Sequence, residues 1–289
     1  MEVYAKTDIG KSREMNQDYY YVSDEKDEIK LYILADGMGG YNGGEIASKL
    51  AVESVKNYIN HNYHSIEYDK DGILNLMKEA IEYANMMVYE KSKEDETLNE
   101  MGTTLDVLLI YKEKLYIGHV GDSRIYGIRK NNIRRITVDH SYVEKLIKDG
   151  SITREEAKTH PKRNMLIKAI GSNTFVVPDL MEKVFLKEDT ILMCSDGLNN
   201  MLSEEEFIEL CSKYKTHELT EAEYRKLRMW VDGSEENYRF FSNYVKLYKA
   251  EMRAETYRQA DPSKGWQAIE RKRKAYRLRQ RLYRVVIAA

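Results

Sequence analysis

A chain of 289 residues is long enough for one large domain, or for a medium domain with a smaller companion, since domains run from about 50 to 250 residues. The formal net charge of -2 gives the molecule no electrostatic case for nucleic acid, Met1 to Gly10 is polar rather than a basic-then-apolar leader, and no stretch reaches the roughly 18 apolar residues of a membrane span. Two cysteines, Cys194 and Cys211, make neither a disulfide framework nor a paired-thiol zinc site, which points to a reducing, cytoplasmic setting.

In chain order, the first strong signal is the apolar run Ile29 to Ala35, a strand that ends on Asp36-Gly37-Met38-Gly39-Gly40. Helical spacing follows in two segments, Ile46, Leu50, Val55 and Ile59 in one, then Ile73, Met77, Ala80, Ala84 and Met87 in the other. The charged stretch Lys91 to Glu100 breaks the second helix. Leu105 to Tyr111, Lys114 to Val120, Ser123 to Arg129 and Thr190 to Cys194 read as further strands, bounded by Gly, Asp or Asn. Between them, Val143 to Thr159 carries one or two short helices, an excursion suited to a flap. Strands in a run, interrupted by a helix pair, predict an α+β domain built on antiparallel sheet rather than a doubly wound parallel one.

The chemistry sits at strand ends. A strand followed by Asp-Gly is ordinarily a tight turn, but Asp36, Asp122 and Asp196 each follow an apolar strand, and three such aspartates make a pattern. Carboxylates that converge without cation partners repel one another and are costly to desolvate, so convergence calls for hard divalent ions with oxygen ligands, magnesium or manganese. Upstream, Ser12-Arg13-Glu14-Met15-Asn16-Gln17-Asp18 adds a fourth carboxylate and an arginine able to grip phosphate through two parallel hydrogen bonds. Arg13 alone reads as a surface partner of Glu14 or Asp18. In this company it points to phosphate chemistry. His140 and His160 read as satisfied loop or flap residues.

These residues resemble the PPM family of metal-dependent, type 2C-like protein serine/threonine phosphatases in its bacterial form. The resemblance spans residues 1–211 and rests on Thr7-Asp8-Ile9-Gly10, Arg13 with Asn16-Gln17-Asp18, Asp36-Gly37-Met38-Gly39-Gly40, Met101-Gly102-Thr103-Thr104, Gly118-His119-Val120-Gly121-Asp122-Ser123-Arg124, Asp139-His140-Ser141, Ile170-Gly171 and Ser195-Asp196-Gly197-Leu198. It implies an antiparallel β-sandwich flanked by helices, with two manganese or magnesium ions in the cleft at one end. By that likeness Asp36 bridges both ions, Gly37 offers its carbonyl, Asp196 holds the first ion, Asp18 serves the second and Arg13 positions the phosphate. A third, weaker ion sits near Asp122 and Asp196. The implied activity is hydrolysis of phosphoserine and phosphothreonine in proteins by a water shared between ions roughly 3.5–4 Å apart. Phosphorylated proteins, a cognate serine/threonine kinase and its substrates are the implied partners, and the flap is Asp139 to Arg163. Met38 stands where some animal relatives carry a proton-donating histidine.

Family members close with an Asp-Asn pair and a final strand, and the Asp is a ligand of the first metal. Neither is legible here: Asp232-Gly233 lies in a helical, aromatic context, and the spacing gives no reason for Asp232 or Asp261 to reach the site. The expectation is therefore a domain lacking its closing strands and one ligand, with a catalytically impaired phosphatase-like binding module as the alternative reading. Composition changes at the same point, from 20 Lys and 7 Arg in residues 1–211 to 8 Lys and 11 Arg in residues 212–289. Residues 217–289 read as a three-helix segment, with stripes through Tyr224, Leu227, Trp230 and Val231, then Tyr238 to Tyr248, then Trp266 to Tyr276, and with Thr220 and Glu223 as a capping box. This segment resembles the cytoplasmic N-terminal domain of FecR-like anti-sigma regulators, which implies a sigma factor as partner. In those regulators a membrane span begins where this chain has Val285 to Ala289.

Overall fold

The structure is a computed structural model that describes residues 2–9, 15–39, 43–94, 96–129, 132–186, 189–199 and 284–288, with single positions between 220 and 242. The chain divides into two compact units, the larger comprising residues 2–9, 13–200 and 283–289, and the smaller mainly residues 201–282.

In the larger unit, β1 (Glu2–Lys6), β2 (Asp18–Val22) and β3 (Lys30–Met38) precede the helix pair α1 (Gly43–Asn62) and α2 (Lys70–Glu94). Strands β4 (Gly102–Thr103), β5 (Leu105–Tyr111), β6 (Lys114–Val120), β7 (Arg124–Arg129) and β8 (Asn132–Arg135) follow. Short helices α3 (Tyr142–Lys148) and α4 (Arg154–Thr159) then lead to β9 (Asp179–Val184), β10 (Thr190–Cys194), α5 (Asp196–Asn199) and β11 (Arg284–Ala288). One sheet runs in the order β2-β3-β5-β6-β9, with β4 on β3, and the other runs β1-β11-β10-β7-β8. The result is the α+β sandwich flanked by helices that the sequence predicts.

The helix layer forms for ordinary reasons. Asp69 accepts the Gly72 N–H at 2.8 Å and opens α2, and residues at helical spacing then bury one stripe. Ala47, Ala51, Val52, Val55 and Ile59 of α1 and Ile73, Met77, Ala80, Ala84 and Val88 of α2 pack on Leu31, Ile33, Leu105, Val107 and Leu109. Each fully buried branched aliphatic side chain in this layer contributes about 1.5–3 kcal/mol. Val88 rather than the half-exposed Met87 completes the α2 stripe, and the helix continues through the first charged residues to Glu94.

Alternation along β3 and β5 sends Tyr32, Leu34, Leu108 and Ile110 to the opposite face, where all are buried. Ile125, Ile191 and Met193 of the other sheet are buried as well. A polar series shares that face of β3 and β5: Asp36 continues the Tyr32 and Leu34 row, and Asp106 lies opposite Leu34. Polar groups placed there stand at the end of an otherwise apolar core, a costly arrangement that has to be met by partners.

The expectation of missing closing strands requires a correction. Residues 284–288 form β11, parallel to both β1 and β10 and inserted between them, with Val286 opposite Tyr4 on one side and Leu192 on the other. Two strands that would otherwise each leave an open edge are thereby paired. A membrane span begins at this stretch in the regulators that the segment resembles, but a short β-branched run is equally good strand material. Among the described residues no helix is long and apolar enough to cross a membrane.

In the smaller unit the capping box is present: Glu223 N–H donates to Thr220 Oγ1 at 3.3 Å and the Glu223 carboxylate accepts the Thr220 N–H at 2.9 Å. Leu227 and Val231 are buried, whereas Tyr224 is half exposed and leaves the stripe. Trp230 and nearly all of the second and third stripes lie outside the described residues, as does Cys211. Cys194 is buried.

Candidate metal centre

The site begins with the register of β2 and β3, which places Asp18 directly opposite Asp36. Side chains of directly opposed residues share a face about 4.5–5.5 Å apart at Cβ, and like charges so placed repel. The backbone permits no retreat. Asp36 N–H donates to Thr104 Oγ1 at 2.8 Å, while the Asp36 carbonyl accepts Thr104 N–H and Thr103 Oγ1, each at 2.9 Å. Gly37 N–H donates to the Gln17 carbonyl at 3.0 Å, and a Cβ at Gly37 would lie 2.0 Å from the Gly44 carbonyl oxygen. Only glycine lets the strand end pass this close to the start of α1.

The second sheet supplies the other two acids. Cys194 at the end of β10 pairs with Arg124 at the start of β7, so Asp196 and Asp122, each two residues beyond, emerge at the same end. Ser195 Oγ donates to Asp18 Oδ2 at 3.0 Å and ties the two sheets together there. Asn16 holds the approach to β2, with its Oδ1 accepting Asp18 N–H at 3.0 Å and its Nδ2 donating to Thr7 Oγ1 at 2.6 Å.

Electrostatics identify the cluster. Burial, followed by the charges of Asp18, Asp196 and Asp122, pushes the Asp36 carboxyl up to about 9. Asp122 is pushed up to about 7, first by burial and then by Asp196 and Asp139, with Arg124 opposing. Carboxylates gathered in this way repel one another, and a hard divalent ion with oxygen ligands would remove that cost. Among the described residues no group of three or more His, Cys, Asp or Glu side chains is already drawn into one coordination sphere. Asp36 and Asp18 are close enough to share a hydrogen bond, which also raises the Asp36 pKa. The donor set thus fits hard divalent ions, with Asp36 at its centre and Asp18, Asp196 and Asp122 around it. Arg13, Asp232 and Asp261 lie outside the described residues.

An ion cluster that sequence reading passed over stands beside the acids. The Asp139 carboxylate takes both Arg124 Nε and Nη2, the latter at 2.7 Å, and also Arg135 Nη2 at 2.5 Å. Burial works against the Arg124 charge, but the bonds to Asp139 outweigh it and raise its pKa. Asp139 opens the Asp139-His140-Ser141 motif, so the signal was present without an assigned role. His140 is a satisfied buried residue, as read: its Nδ1 accepts Gly121 N–H at 3.1 Å, and burial, then His119 and Lys168, lower its pKa to about 4. His160 ends α4, with its Nδ1 accepting the Lys162 N–H at 3.1 Å. The fully buried pair Asp106 and His119 also went unnoticed, because its only trace in the sequence is one polar residue in each of two apolar strands.

A helix-covered sandwich that gathers Asp18, Asp36, Asp122 and Asp196 near one end of both sheets presents, as a class, an oxygen-rich site of the kind that hard divalent cations favour. The protein phosphatase 2C family profile matches residues 10–232, and the chain belongs to that family. Stp, a serine/threonine phosphatase of Listeria monocytogenes, is 34% identical over 216 residues, covering 75% of this chain and 85% of its own. The crystal structure of the serine/threonine phosphatase Stp1 from Staphylococcus aureus matches with a TM-score of 0.64 at 32% identity, over 78% of this chain and 87% of that one. The catalytic domain of the serine/threonine protein phosphatase PstP, in complex with two manganese ions, matches with a TM-score of 0.61 at 29% identity, over 78% and 89% of the two chains. The family is metal-dependent, and the profile extends past residue 211 to residue 232.

Proposed function

We propose that this chain is a protein serine/threonine phosphatase that releases phosphate from phosphoserine and phosphothreonine with two manganese or magnesium ions. The observation that carries the reading is the buried Asp36 carboxyl, raised to about 9 by burial and by the charges of Asp18, Asp196 and Asp122. When bound, such ions supply a water acidic enough to attack phosphorus near neutral pH, together with neutralisation of the charge that develops.

The chain's own residues do the rest. Asp36 would serve both ions, Asp196 would hold the first and Asp18 the second, while the Gly37 carbonyl would add a neutral oxygen donor. Asp122, whose pKa Asp196 also raises, would serve a third and weaker position. Arg13 holds the phosphate oxygens through its planar fork. Met38 follows Asp36-Gly37, so no imidazole is offered there to the leaving oxygen, whose proton comes from solvent. Phosphorylated proteins are the substrates, and a cognate serine/threonine kinase works in opposition in the cytoplasm. The segment 217–289, of which residues 217–282 lie in the smaller unit, docks a sigma factor.

Release of phosphate from a phosphothreonine peptide with manganese present, stopped by chelation and by Asp36→Asn, is the expected result. Turnover that persists in Asp36→Asn, or none with manganese in the unaltered chain, defeats the reading. Retention of a sigma factor by the full chain but not by one lacking residues 217–282 tests the partner.

A further inference from the structure

Asp106 and His119 face each other across β5 and β6, and both are completely buried among apolar neighbours that include Leu34, Leu108 and Ile117. His119 Nδ1 lies 2.6 Å from Asp106 Oδ1, and His119 Nε2–H donates to the Val138 carbonyl at 2.9 Å. The other Asp106 oxygen has no hydrogen-bond partner among the described residues. A buried carboxylate with one oxygen unmet is costly, and an apolar pair of similar volume packs such a position as well or better. Packing therefore does not account for this pair.

Its contacts run toward the acid cluster. The His119 ring stacks on the His140 ring, with centroids 4.7 Å apart and planes at 29°. His140 in turn grips Gly121 at two points, donating its backbone N–H to the Gly121 carbonyl at 2.7 Å and accepting the Gly121 N–H on Nδ1 at 3.1 Å. With Nδ1 an acceptor, the neutral ring carries its proton on Nε2, which faces Asp179 Oδ1 at 3.2 Å. Gly121 has a φ of 117°, and a Cβ there would meet Thr104 at 2.6 Å. Asp122 is the next residue. Thr104, which closes Gly121 in, also holds the Asp36 amide.

We propose that Asp106 and His119 are positioning residues for the cation site, acting through His140 and Val138 to hold Gly121 and Asp122 toward Asp36 and Asp196. The proposal rests on the metal-site reading above and adds residues that touch neither ions nor phosphate. Such outer partners orient the ligands of a metal site, and their loss commonly weakens metal binding by roughly 10–100-fold.

The test uses the full chain and three variants. Asp106→Asn keeps a hydrogen-bond partner for His119 Nδ1, Asp106→Leu removes it, and the double variant Asp106→Leu/His119→Leu leaves an apolar pair with no unmet polar atom. Two readouts are taken, amide hydrogen exchange at Gly121 and calorimetric titration with manganese. Expected for Asp106→Leu and for the double variant are exchange at Gly121 faster by about tenfold or more, with Val55 in α1 unaffected, and manganese affinity weakened by about tenfold or more. Asp106→Asn stays close to the unaltered protein in both, and the double variant melts no lower than it. Should the double variant fold with Gly121 protection and manganese affinity both intact, the proposal is overturned. Faster Gly121 exchange with intact manganese affinity overturns it as well. Absence of manganese binding by the unaltered chain is a separate result, which overturns the metal-site reading and the proposal with it.

Discussion

Removing the central carboxylate should make the metal-free protein more stable while destroying its response to metal. Asp36 is raised from an ordinary 3.8 to about 9 by burial and three neighbouring acids, so as pH rises the unfolded chain loses this proton long before the folded one. Metal-free stability therefore falls from about pH 4 toward pH 9, at about 1.4 kcal/mol per pH unit. By pH 7 the ceiling is about 4 kcal/mol, and relaxation of Asp18 and Asp196 away from Asp36 brings the expected value to about 2–4 kcal/mol. Asp36→Asn keeps the shape without the charge and recovers that amount, which for a domain of this size is a rise in melting temperature of roughly 5–15 °C. Urea and thermal unfolding in EDTA at pH 4.5 and pH 7.5 measure it, with variant and unaltered chain converging at the lower pH. Saturating manganese should reverse the order, since only the unaltered chain gains binding free energy. An Asp36→Asn protein no more stable than the unaltered chain in EDTA at pH 7.5 would refute the electrostatic argument.

Two further expectations concern other parts of the fold. His140 has a pKa lowered to about 4 from an ordinary 6.5, so below pH 6.5 the unfolded chain takes up a proton that the folded one refuses. Its contribution is complete above pH 6.5 and is lost as pH falls toward 4, by about 3 kcal/mol in all. The difference in unfolding free energy between pH 7 and pH 4.5 should shrink in His140→Gln, and an unchanged difference counts against the assignment. Val286→Pro removes a backbone donor at a position paired on both sides by β1 and β10 and should cost about 3 kcal/mol or more. A denaturation midpoint identical to that of the unaltered chain would mean that residues 284–288 do not close the sheet.

What the sequence discloses and what it withholds divide along local and non-local lines. The Ile29 to Ala35 strand and the first two helix stripes are local patterns and occur close to where the spacing places them, although β3 runs on through Asp36 to Met38 and Val88 takes the place of Met87. Strands β1 and β2 escaped notice because Glu2–Lys6 and Asp18–Val22 are at most half-buried and show no apolar alternation. Arg284–Ala288 escaped for the opposite reason, since a short apolar run fits a strand, a buried helix segment or the edge of a membrane span equally well. At the site, Asp36, Asp122 and Asp196 were legible from motif, but that Asp18 stands opposite Asp36 is a property of strand register. Asp106 was invisible for the same reason: one acid in Leu105 to Tyr111 says nothing until β6 brings His119 against it. Asp139 lies in a quoted motif, yet its partners Arg124 and Arg135 emerge only when β7 pairs with β8.

Calorimetric titration of the metal-free chain with manganese puts the most direct question to the four carboxylates. Two bound ions per chain, falling to none in Asp36→Asn, is the predicted outcome. A flat titration with the unaltered protein would mean that this acid cluster does not exist to hold cations.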